Sequence, residues 1–120
     1  MLIALMSLLL ASSMAVQADV SGKWDGTVKG SRSDGTTSED TVLMILQQKD
    51  ATVTGSVGGN ETDQHRITSG TIDGTKLTLV AVSESGREYR VELAVSGDQM
   101  TGVVTSGEMR ADLQVRRRKD

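Results

Sequence analysis

A chain of 120 residues with 13 basic and 16 acidic side chains, formal net charge −3, is sized for one domain and has no global pull toward nucleic acid or an anionic membrane. The absence of cysteine excludes disulfides and a thioether lipid anchor, so a domain of this size must close its core by packing alone. Trp24 and Tyr89 are its aromatic residues, too few to build the stacking surfaces on which sugars, bases or quaternary amines are usually held.

Residues 1–18 carry no charged side chain, and residues 2–11 are almost wholly apolar. That run is too short to cross a bilayer as a helix. Val16-Gln17-Ala18 places small or branched residues at the −3 and −1 positions of a signal-peptidase site. The expectation is a signal peptide over 1–18, cut before Asp19, and an exported domain over 19–120, periplasmic or extracellular. The positive n-region usual in such peptides is missing, so the true start codon is open. The competing reading is an N-terminal helix packed on the domain.

From Asp19 onward short β-type runs alternate with turn chemistry, and no segment repeats at helical spacing. Strands are expected at 23–29, 41–48, 52–57, 65–72, 77–82, 88–95, 100–105 and 109–116. Residues 41–48 (TVLMILQQ) are apolar on both faces and therefore covered on both. Residues 88–95 alternate strictly, with Tyr89, Val91, Leu93 and Val95 on one face. The last strand alternates too, with Met109, Ala111, Leu113 and Val115 inward and Arg110, Asp112, Gln114 and Arg116 outward. Asp73-Gly74 is a hairpin signal. Three hairpin pieces, at 49–57, 73–80 and 97–104, share an Asp-containing turn followed by an aliphatic residue and Thr. Such a repeat is what a meander produces. The fold class expected is all-β: an eight-stranded antiparallel up-and-down barrel, which removes exposed edges, with a β-sandwich as the alternative.

Gly22-Lys23-Trp24 opens the first strand just after the expected cut. A Gly-x-Trp at this place, followed by successive hairpins, resembles the calycin superfamily of lipocalins and avidin-like barrels. The resemblance implies that Trp24 closes one barrel end beneath a basic residue of the last strand, here Arg116 or Arg117. Lipocalins are typically longer, and this chain is nearer avidin in size. Avidin-like sites grip biotin between several aromatics. One Trp and no Phe provide no such grip, so the resemblance implies a fold and no particular ligand.

Candidate chemistry is sparse. His65, the single histidine, lies near Asp63 but has no metal-ligand spacing and no marked nucleophile, and is read as a solvent-facing strand residue. Gly58-Gly59-Asn60 is not followed by a helix, so it makes no phosphate cradle. Single Asp residues suit turns rather than a calcium loop. Residues 116–119 (RRRK) concentrate positive charge, either as an anionic-partner patch or as a solvated strand end.

The reading is a binding protein, not an enzyme, with no catalytic residue, cofactor or metal. Its ligand is small and apolar, held against interior faces that carry Val42, Met44, Leu46, Leu77, Leu79, Tyr89, Val91, Leu93 and Leu113. No nucleic-acid partner and no membrane insertion after cleavage are expected. The alternative is a filled barrel whose loops, 30–39 or 58–64, engage or inhibit a protein of the cell envelope.

Overall fold

A computed structural model describes residues 18–31, 35–107 and 109–118. The segment expected to be a signal peptide lies outside the described residues except for Ala18. Eight strands follow in chain order: β1 (Gly22–Ser31), β2 (Thr37–Lys49), β3 (Thr52–Asn60), β4 (Asp63–Asp73), β5 (Lys76–Val82), β6 (Glu88–Ser96), β7 (Gln99–Ser106) and β8 (Met109–Arg117). Each pairs antiparallel with the next, and β8 returns to β1, from Trp24 opposite Arg117 to Gly30 opposite Ala111. The result is the closed up-and-down barrel rather than a sandwich.

Alternation dictates which residues fill it. Val91, Leu93 and Val95 of β6 are buried while Arg90, Ala94 and Ser96 are exposed, and Ala111, Leu113 and Val115 of β8 are buried while Arg110, Asp112 and Gln114 are exposed. Charge sits outside and apolar side chains inside, the reverse of a lipid-facing barrel. Among the described residues no helix is long and apolar enough to cross a membrane.

The hairpin after β4 falls one residue later than the Asp73-Gly74 signal suggests. Asp73 pairs with Lys76, so the two-residue loop is Gly74-Thr75, with Gly74 at φ 64°. A glycine at the first loop position gives the turn a twist that matches the strands. The β3–β4 turn is held by the Asn60 side chain, whose Oδ1 accepts the backbone N–H groups of Thr62 (2.9 Å) and Asp63 (3.0 Å).

Leu43 explains the doubly apolar β2. It belongs to the outward set, since its neighbours Val42 and Met44 face the interior, yet it is only 3% exposed. The β3–β4 hairpin covers it, and Gln64 Nε2 donates to its carbonyl at 3.2 Å.

Candidate functional site

The two ends of the barrel differ. At one end residues 18–21 run across the opening. Ala18 N donates to Gly74 O (3.1 Å), Val20 N to Gln48 Oε1 (2.9 Å), and Gln48 N to Ser21 Oγ (2.9 Å). Those bonds seat Val20 in the interior, where it is 0% exposed beside Trp24, also 0% exposed. The indole Nε1–H donates to Val20 O at 2.9 Å. A buried Trp needs such a partner for its N–H, and the crossing segment supplies it.

Arg117 lies over the indole, its guanidinium carbon 4.4 Å from the ring centroid. Its remaining donors are spent on the same end: Nη1 on Ser21 O (2.7 Å), Nη2 on Asp19 O (2.7 Å) and Nε on Asp98 Oδ1 (3.0 Å). One planar fork thus joins the N-terminal crossing, the β6–β7 turn and the first strand. The Ser21 backbone N–H, and then its hydroxyl, bond the Asp19 carboxylate and hold it below the usual carboxyl range, with a smaller contribution from Arg117.

Arg116 is no part of this plug. It continues the outward set of β8 and is exposed. Arg118 pairs with Asp25, Nε to Oδ2 at 2.9 Å. Two of the four cations in the C-terminal run are therefore engaged with the barrel, which leaves little of it as a patch for anionic partners; Lys119 lies outside the described residues. Replacing Arg117 by Ala is expected to cost about 1.5–3 kcal/mol, the range of a charge-assisted hydrogen-bond set. Arg116→Ala is expected to stay within about 0.5 kcal/mol, as an exposed substitution does. Urea unfolding of the two variants checks the contrast.

Above the plug the lower half is packed. Leu46, Val53, Ile72, Leu77, Leu79, Leu93 and Met100 are buried in one cluster with Trp24 and Val115, and the cluster continues through Met44, Val57, Val91 and Leu113 to the floor of the open half. Leu46, Leu77, Leu79 and Leu93, also expected as interior lining, face inward and are buried in this core cluster. The upper half is different. A cavity of about 390 Å³ opens between the loops at the other end. Val28, Val42, Met44, Val57, Val91 and Leu113 form its apolar wall, and Ser31, Ser38, Asp40, His65 and Tyr89 bring polar atoms to it. Of the residues expected to line the interior, Val42, Met44, Tyr89, Val91 and Leu113 border this space.

His65 is not a solvent-facing strand residue. It pairs with inward Val57, borders the cavity, and stacks on Tyr89 with ring centroids 6.4 Å apart at 18°. Asp63 Oδ1 lies 3.6 Å from His65 Nε2. Among the described residues no group of three His, Cys, Asp or Glu could hold a metal. Sequence reasoning missed Val28, Val57, Ser38 and Asp40 as lining residues; the register with the inward β2 residues is the signal that places them.

A larger depression, about 590 Å³, lies outside the barrel under the β3–β4 hairpin. Its wall includes Asp25, Glu61 and Arg118, which are tied to each other by ion pairs at 2.9 Å and 3.8 Å. Charged groups that already satisfy one another make it the poorer candidate.

A closed eight-stranded meander with one plugged and one open end defines a calycin-like barrel. A crystal structure of a mutant of the fluorescent protein UnaG matches it with a TM-score of 0.51 at 17% identity, covering 84% of this chain and 97% of that one. The likeness is one of fold. No family model matches the sequence, and no curated protein does.

Proposed function

We propose that this is an exported, non-catalytic binding protein that holds one small apolar molecule in the open half of its barrel. The observation that carries the reading is the cavity of about 390 Å³ above a packed lower half. That volume is at the lower end of the roughly 300–1,000 Å³ usual for ligand pockets. Its aliphatic wall and few polar groups at the mouth suit a ligand chosen by burial and oriented at one end. A filled interior would have favoured loop-mediated contact with a protein.

Other features support the rest of the proposal. The uncharged apolar run at 2–11 and the small residues before Asp19 support export. Charged outer faces favour a barrel that stays in water, and a net charge of −3 gives no drive toward nucleic acid. His65 has Asp63 and Tyr89 as its neighbours, with no hydroxyl nucleophile bonded to it among the described residues, which favours binding over catalysis. Gly22-Lys23-Trp24 with Arg117 is read as the barrel-end signature of calycins.

The test is a titration with the uncharged dye N-phenyl-1-naphthylamine, whose emission rises in apolar surroundings. Saturable, one-to-one enhancement is expected. Val91 is 3% exposed and borders the cavity, so Val91→Phe adds its ring to empty space. That variant is expected to weaken dye binding about tenfold or more while shifting stability by less than the ~1–3 kcal/mol of true overpacking. No enhancement with the native protein would overturn the reading.

A further inference from the structure

We infer that the cavity selects an amphiphile with a protonated primary amine at its head over one with a carboxylate. This rests on the cavity being a binding site, and it names the class of ligand.

Asp40 is opposite Val28 in the β1–β2 register, two residues from Val42 on the inward face of β2, and it borders the cavity. Its side chain, exposed at the rim, makes no hydrogen bond or ion pair with any described residue. Among the described residues no Lys or Arg lines the cavity. Lys29, one position from inward Val28 and Gly30, points outward and is taken by Glu39 at 3.6 Å. Arg110 is likewise on the outer face, next to inward Ala111. Elsewhere on the mouth the His65 imidazole has the Asp63 carboxylate 3.6 Å from its Nε2.

Chemistry then separates the possible heads. A carboxylate meets Asp40 as a like charge with no cation in the lining to offset it. An ammonium meets a carboxylate of opposite sign at the rim of an apolar wall. A primary ammonium has three donors. Asp40 and the Ser38 hydroxyl, on the same inward parity of β2, supply acceptors at the mouth. A quaternary head lacks donors and would need an aromatic cage, which Tyr89 alone does not form. The aliphatic wall beneath takes the tail.

The test displaces N-phenyl-1-naphthylamine with decylamine, 1-decanol and decanoate at pH 7, each below its micelle concentration. Decylamine is expected to displace the dye at about tenfold lower concentration than decanol, the size of one charge-assisted contact, with decanoate weakest. Asp40→Asn is expected to bring decylamine and decanol within about twofold. Glu39→Gln, which removes the adjacent outward carboxylate, is expected to leave the order unchanged. Decanoate binding as well as decylamine, or an order that survives Asp40→Asn, overturns the inference while leaving the cavity intact. Failure of the dye and of all three chains to bind removes the binding reading itself, and this inference with it.

Discussion

Trp24→Ala is expected to lower stability by about 3–5 kcal/mol, the range for truncating a buried Trp. Three losses coincide at this position. The indole is 0% exposed, so its removal leaves a void between Val20 and the core. Val20 O loses its donor at 2.9 Å, and Arg117 loses the ring beneath it at 4.4 Å. A single small domain is stable by only about 5–15 kcal/mol, so the variant sits near the edge of folding. The urea midpoint should fall with an unchanged slope, since the surface exposed on unfolding is the same. Trp24→Phe keeps most of the apolar volume and loses the N–H, and should cost about 1–2 kcal/mol less than the Ala variant. A Trp24→Ala protein within about 1 kcal/mol of native would contradict the plug.

Gly26→Ala is expected to be as damaging, for a backbone reason. A Cβ built on Gly26 would lie 1.9 Å from Gln114 O and 2.7 Å from Val115 Cα, both backbone atoms of β8. No rotamer relieves that contact, so β1 and β8 must part at the seam that closes the barrel. The cost should exceed the ~1–3 kcal/mol of ordinary overpacking, or the variant should fail to fold. Gly30 lies on the same strand and face. Its Cβ would meet Ser38 Oγ at 3.5 Å and Ala111 Cβ at 3.6 Å, ordinary contact distances. Gly30→Ala should therefore stay within about 0.5 kcal/mol, because the added methyl makes only ordinary contacts at the cavity's edge. Circular dichroism and urea unfolding on the pair distinguish a tight seam from a general dislike of side chains on β1. Gly102 repeats the arrangement on β7, with Glu92 O at 1.8 Å from its Cβ position. Such glycines let strands bend where a sheet curls into a small barrel.

The strands were legible because one face is buried and the other wet, which writes a period of two into β6 and β8. Closure was legible from the repeated hairpins, which leave no reason for an edge. The alternation of β8 also contained the choice between Arg116 and Arg117. With Val115 inward, Arg117 is the next inward position, and a run of like cations hid that parity. His65 was obscured by β4 itself. Its register slips between Ile67 and Ser69, so Gly70 and Ile72 face inward on one parity and His65 and Ile67 on the other. Period two cannot be read through a bulge. The division into packed and hollow halves was not legible. Leu77 and Leu113 look alike in the sequence, and their heights in the barrel depend on the stagger accumulated around eight strands. Asp40 was passed over because a single carboxylate beside a polar loop resembles any solvated loop end until the register turns it inward.

The central claim is that the open half of the barrel holds a ligand while the plugged half is core. Methyl-resolved NMR of the protein titrated with 1-decanol tests this most directly. Saturable shifts are expected at Val28, Val42, Met44, Val57, Val91 and Leu113, with Leu46, Val53, Leu77 and Leu79 unmoved. Shifts spread evenly through both halves, or confined to methyls on the outer surface, would contradict it.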